Sequence, residues 1–243
     1  MSAAGARFAS IDALRGVAIV WMTLFHFCFD LNYFGYLKQD FYNDAVWTWQ
    51  RSAIVSLFLL CAGLGQAVAV DQRQDARRFW KRWAQVASCA LLVTIGSAFV
   101  FPKTFIYFGV LHAIALMLVI VRFTSAWGRW LWLAGALAIG LKFAAVEAHA
   151  MWPSLDFLNA RPWNWLGLVS RKPQTEDYVP LIPWLGVMWW GMAAGQWLLA
   201  HRRAQLNRPL PGACAPLAWL GRWSLSWYML HQPVLFGILL STR

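Results

Sequence analysis

Apolar residues fall along the chain in seven long runs, at about 10–31, 47–70, 83–101, 104–122, 127–148, 180–200 and 216–240. Runs of this length predict membrane-crossing α-helices. About 20 apolar residues are needed to span the hydrocarbon core, and within it only a helix or a closed barrel satisfies the backbone. The expected fold is all-α: a polytopic membrane helix bundle of about seven transmembrane helices, forming one domain over residues 1–243. Phe101-Pro-Lys-Thr104 leaves only a tight turn between the third and fourth runs, which predicts an antiparallel hairpin there.

One run departs from the pattern. The segment from Ser10 to Asp30 is long and apolar enough to cross a bilayer, yet it carries Asp12, Arg15, His26 and Asp30. At 100° per residue, positions 12, 15, 19, 22, 26 and 30 share one narrow arc of a helix. The rest of the surface is apolar. Ionisable groups at membrane depth are costly and face a protein interior or a wet cavity, so this arc predicts a polar cleft. Asp12 and Arg15 also suit a simple interfacial ion pair. His26 and Asp30, one turn apart, point more strongly to chemistry.

Composition fits the pattern. Of 243 residues, 60% are hydrophobic and 13% charged, with mean hydropathy +0.49. The net charge of +11 could suggest nucleic acid, but the bases lie in short loops between apolar runs. They divide unevenly. Loops 71–82, 122–129 and 201–215 carry ten Lys and Arg, whereas 32–46, 102–103 and 149–179 carry five. The positive-inside rule then puts the N-terminus inside, the C-terminus outside, and excludes a nucleic-acid partner in favour of membrane lipid. The four cysteines have no paired spacing and read as small buried hydrophobes. No cleavable signal peptide is expected. Most of the 18 tryptophans lie near run ends, as aromatic belts do; Trp152, Trp163 and Trp165 in the longest loop could instead stack on a sugar.

With this topology His26, His112 and His231 fall at similar depth on three different runs, which predicts a shared chamber. Arg51 could snorkel to the interface or pair with Asp30. Asn32, Tyr33, Trp184 and Gln232 would line the outer mouth. Lys142 and Glu147 are expected at the interface, and Ser52, Ser56, Gly63 and Gly65 read as a close-packing surface. No metal is expected, since no ligand set has metal spacing.

Four stretches together carry a family resemblance. Ser10-Ile-Asp-Ala-Leu-Arg-Gly16, followed by Met22 and His26-Phe-Cys-Phe-Asp30, resembles the opening of the heparan-alpha-glucosaminide N-acetyltransferase catalytic-domain family. Phe58-Leu-Leu-Cys-Ala-Gly63 resembles its second span, and Asp177-Tyr-Val-Pro-Leu-Ile-Pro-Trp-Leu-Gly186 its run after the long loop. Leu220-Gly-Arg-Trp-Ser-Leu-Ser-Trp-Tyr-Met-Leu-His-Gln-Pro-Val234 is similar to its last span. The spacing from Arg15 to His26 is also similar to the motif of the O-acetylating membrane acyltransferases.

The resemblance implies a small, bacterial-type integral-membrane acyltransferase of the cell membrane, the inner membrane of a bacterium. It would take an acyl group, acetyl from acetyl-CoA on the cytoplasmic side, to a sugar or glycan hydroxyl or amine on the far side. A homodimer is left open. The lysosomal enzyme of the family has more spans, a lumenal domain and a different residue where His26 stands, so its catalytic assignment does not transfer.

The residues accommodate such chemistry. Arg15 and His26 are eleven positions apart, about 16 Å along a helix, which suits the two ends of an extended thioester ligand. Arg15, with Asp12, would meet phosphate, and His26 would act as base or acyl carrier. Asp30 would fix its tautomer. His231 or His112 would protonate the leaving thiolate. The rival reading is a proton-coupled small-molecule transporter, since intramembrane His and Asp also relay protons. A third is an assembly protein without turnover.

Overall fold

The computed structural model describes residues 7–242. Nine α-helices follow in order among them: α1 (Ala9–Tyr33), α2 (Ala45–Asp71), α3 (Ala76–Val100), α4 (Val110–Phe123), α5 (Trp130–Met151), α6 (Leu181–His201), α7 (Arg203–Leu206), α8 (Ala215–Arg222) and α9 (Ser224–Ser241). Four of them, α1, α2, α3 and α5, are long and apolar enough to cross a membrane. The all-helical membrane fold therefore stands, while the seven expected runs do not all become one long helix each.

Three departures have local causes. Helix α3 starts at Ala76 inside the stretch read as a basic loop, because the Asp75 carboxylate caps it, accepting the Arg78 N–H at 2.6 Å. Arg77, Arg78, Lys81 and Arg82 thus lie on its first turns. The run 104–122 is helical only from Val110. Asp177 accepts the Val110 N–H at 2.7 Å, Ser97 Oγ accepts the Ile106 N–H at 2.9 Å, and Phe108 bridges to Tyr178. The connection after α3 is accordingly longer than the expected turn, and the 14 residues of α4 reach only about 21 Å. Helices α3 and α4 still pack as an antiparallel pair, with Trp83 Nε1 donating to the Ala115 carbonyl and Thr94 beside Ile106 and His112. The run 216–240 breaks at Trp223 into α8 and α9.

The chain forms two compact units. The first takes the chain up to Cys61 with the chain from Arg202 onward; the second is Ala62–His201. In the second unit α5 and α6 meet at paired glycines, where a Cβ on Gly186 would lie 2.5 Å from the Gly135 carbonyl oxygen. Gly63, expected to pack closely, abuts the backbone of Met188 and Met192. Lys142, expected at an interface, donates to the Val169 carbonyl at 3.3 Å.

In the first unit α1 is gripped by α8 and α9. Ile19, Met22, Phe25, Phe41 and Ile54 form a core, backed by Trp47, Leu220 and Tyr228. The opposite face of α1 shows Leu14, Val17, Val20, Leu24 and Phe27 outward, as a lipid-facing side would. Hydrocarbon solvates such side chains as well as protein does, so close backbone packing and interhelical hydrogen bonds must hold the helices together. The packing is close: a Cβ on Gly16 would overlap the Leu217 carbonyl, and one on Gly221 the Asp12 carbonyl.

Gly221→Val should therefore lower the thermal midpoint and folded yield of detergent-purified protein, at a cost of about 1–3 kcal/mol or more. Gly140→Ala, where nothing lies within 4 Å of the added carbon, should be neutral or stabilising by up to about 1 kcal/mol. Equal melting of the two variants would refute the tight crossing.

Candidate active site

The polar arc of α1 faces protein. Asp12, Ile19, Met22 and Asp30 are buried and Arg15 and His26 half-buried. Its N-terminal end is a three-residue cluster. Asp12 accepts from Arg15 at 3.0 Å and from Arg7 at 3.2 Å. Two guanidiniums on one carboxylate leave one positive charge in excess. The Asp12 side chain is 7% exposed, Arg15 22% and Arg7 63%, so the excess charge lies toward the surface. Arg7 had no sequence signal, since it precedes the apolar run and only the start of the helix brings it back to Asp12.

About two to four turns beyond Arg15, α1 and α9 are joined by three interhelical bonds. Trp227 Nε1 donates to Thr23 Oγ1 at 2.9 Å, His26 Nδ1 meets His231 Nε2 at 2.6 Å, and Gln232 Nε2 donates to Asp30 Oδ1 at 2.6 Å. The order of these pairs shows that the two helices run in the same direction. Sequence reasoning missed the Thr23–Trp227 bond, because a threonine among apolar residues reads as part of the packing surface.

The partners fix the tautomers. His231 Nδ1 faces the carbonyls of Tyr228 at 2.8 Å and Trp227 at 3.2 Å. A carbonyl only accepts, so Nδ1 carries the proton. In the neutral ring Nε2 is then a lone pair, and the proton between the rings belongs to His26 Nδ1. The ring planes lie 12° apart, compatible with an N–H···N bond lying in the plane of both rings. His26 is left with a bare Nε2, which makes no hydrogen bond among the described residues. That nitrogen keeps a lone pair, which is what a base or nucleophile needs, and is held in place through its other side. Pro233, two residues beyond His231, lacks the N–H that would bond the Met229 carbonyl.

The bond on His26 thus comes from His231, not from the expected Asp30, which bonds Gln232. The expected Arg51 pairing is also absent: among the described residues no cation forms an ion pair with Asp30. His112, expected as a candidate proton donor, belongs to the second unit. Thr94 Oγ1 gives its proton to the Ile106 carbonyl at 2.8 Å, so it accepts from His112 Nε2 at 3.0 Å, while Gly109 N–H donates to His112 Nδ1 at 3.3 Å. Both ring nitrogens are committed, and the residue ties α3 to the start of α4.

The expected mouth residues divide. Asn32 closes a turn by accepting the Gln39 N–H at 2.7 Å, Tyr33 is exposed beside Phe34 and Phe236, and Gln232 holds Asp30. Trp184 lies on the first turn of α6, in the second unit. In the adjoining loop of the first unit Asp40 accepts from the Asn43 side chain and from the Asn43 and Tyr42 backbones, which hold its carboxyl below the usual range.

The profile of the family described as heparan-alpha-glucosaminide N-acetyltransferase, catalytic, matches residues 7–233. No curated protein and no solved structure matches.

The tautomers are observable. In nitrogen-15 spectra of the neutral imidazoles, His26 and His231 should carry the proton on Nδ1 and His112 on Nε2. A His26 proton on Nε2 would contradict the assigned direction of the dyad.

Proposed function

The chain belongs to the heparan-alpha-glucosaminide N-acetyltransferase catalytic family, and from that premise we propose a membrane acyltransferase that moves an acetyl group from acetyl-CoA to a sugar amine or hydroxyl. The observation that carries this reading is the unbonded Nε2 of His26, held by the His231 dyad on a buried polar arc.

His26 Nε2 takes the proton of the acceptor as its nitrogen or oxygen attacks the thioester carbonyl. Imidazole suits this task at neutral pH, and such a base contributes about 10²–10⁴-fold. The tetrahedral intermediate collapses with cleavage of the C–S bond, and the proton returns from His26 to the thiolate. His231 supports the imidazolium, since its Nε2 lone pair faces the His26 Nδ1–H. The Arg7–Asp12–Arg15 cluster, about 16 Å away along α1, receives the phosphates of the donor through its excess positive charge. A cytoplasmic N-terminus places that cluster on the side where the donor is found.

The test uses purified protein in sealed vesicles, with radiolabelled acetyl-CoA and glucosamine as trial acceptor. Wild type should release free CoA and form an acetylated sugar, and His26→Ala should reduce this about 10²–10⁴-fold while melting normally. A folded His26→Ala protein with wild-type turnover overturns the base assignment. Uptake of intact substrate without CoA release supports the carrier reading instead.

A further inference from the structure

The Asp30–Gln232 pair takes no part in the steps above, and its hydrogen-bond accounting does not close. Asp30 is 1% exposed. One carboxyl oxygen accepts from Gln232 Nε2; the other, Oδ2, is buried with no partner. The amide oxygen of Gln232 is likewise buried with no partner. Two bonded side chains thus present two orphaned acceptors and no donor to share between them.

Among the described residues no cation forms an ion pair with the carboxyl. The ion pairs of the first unit, Arg7–Asp12 and Arg15–Asp12, lie at the other end of the arc. The other charged side chains and histidines on the surrounding elements of the first unit are His26 on α1, His231 on α9, Arg51 on α2, Arg222 on α8, and Lys38, Asp40 and Asp44 on the loop between α1 and α2; the remaining titratable groups there are the thiols of Cys28 and Cys61 and the phenols of Tyr33, Tyr36, Tyr42 and Tyr228. None forms an ion pair with Asp30. Asp40 accepts from backbone N–H groups of its own loop and Asp44 from the Val46 N–H on the first turn of α2, and the two histidines are bonded to each other. A bare carboxylate here would keep one amide donor and lack the cation and further donors that a buried charge requires.

A single proton resolves both orphans. We propose that Asp30 is a neutral carboxylic acid at neutral pH, with its Oδ2–H directed at Gln232 Oε1 while Gln232 Nε2 donates to Oδ1. Acid and amide then form a two-bond pair that locks α1 to α9. The pairing turns Oδ2 into a donor and removes the buried charge.

The protonation state stands on the geometry alone; its consequence for the reaction rests on the transferase reading. A carboxylate one turn from His26 would favour the imidazolium, which has no lone pair on Nε2. A neutral Asp30 leaves the dyad neutral, and His26 keeps its basic nitrogen. Asp30 is thus a positioning residue that acts through α9, not a third member of a charge-bearing triad.

The test reads the carboxyl itself, so its outcome is separate from turnover. Infrared spectra of protein labelled with carbon-13 at the aspartate carboxyls should show, at neutral pH, an isotope-shifted band of a protonated acid. The band should vanish in Asp30→Asn and move to higher frequency in Gln232→Leu, where the acid loses its amide partner. Absence of a protonated-acid band in wild type overturns the proposal, as does a band that survives in Asp30→Asn. Should Asp30→Asn fail to fold, the Gln232→Leu spectrum decides: an unmoved band refutes the pairing.

Discussion

The site depends on how closely α1 can approach the C-terminal helices. At Gly16 and Gly221 the backbones of α1 and α8 come so near that any side chain would overlap a carbonyl of the other helix. Two glycines, Gly16 against the Leu217 carbonyl and Gly221 against the Asp12 carbonyl, fix the position of the crossing along both helices. The chain leaves α8 at Trp223 and enters α9 at once, so that crossing also sets which turn of α9 lies beside which turn of α1. Trp227–Thr23, His26–His231 and Asp30–Gln232 are the result. A slip of one residue would turn a side chain by 100° and separate all three pairs at once. In a bilayer, where apolar contact alone does not favour one register, the glycines and these polar pairs have to supply it.

Three histidines looked alike in the sequence, each on an apolar run and at similar depth. Their partners separate them. His112 is held through both nitrogens by Thr94 and Gly109, so it serves the fold. His231 is anchored at Nδ1 by two carbonyls of its own helix and offers Nε2 to its neighbour. His26 receives support on one side and is bare on the other. Residue type sets what an imidazole can do; the count of lone pairs and protons around it sets which of those roles is open.

Much of the architecture was legible because the bilayer imposes one strong rule. Apolar length marks helices, and the arc of Asp12, Arg15, His26 and Asp30 marked the face that turns inward. Lost from that view was anything decided by a single contact. The start of α3 depended on the Asp75 cap, and the shortening of α4 on Asp177, which reaches Val110 from 67 positions away. The pairing of His26 with His231 rather than Asp30 could not be read from an i, i+4 spacing, since such spacing shows proximity on a helix surface and not direction across to a neighbour. Both partners were singled out; only the fold could join them.

The two carboxylates of the arc show how a single helix can hold opposite electrostatic conditions at its ends. Asp12 accepts hydrogen bonds from two guanidiniums, whose excess makes that end cationic. Asp30 has an amide and no cation, so on the protonation proposed above its end is neutral. The potential therefore falls from positive to neutral over about 16 Å or more of helix, toward the bare nitrogen of His26. A ligand with an anionic head and an uncharged reactive end would be oriented by that gradient before any specific contact forms at the histidine. Inverting the order would draw the anionic head to the base and leave the reacting carbon at the guanidiniums. On the acyltransferase reading proposed above, the placement of charge along α1 would do part of the orienting that a thioester donor needs, with residues that never touch the reacting bond.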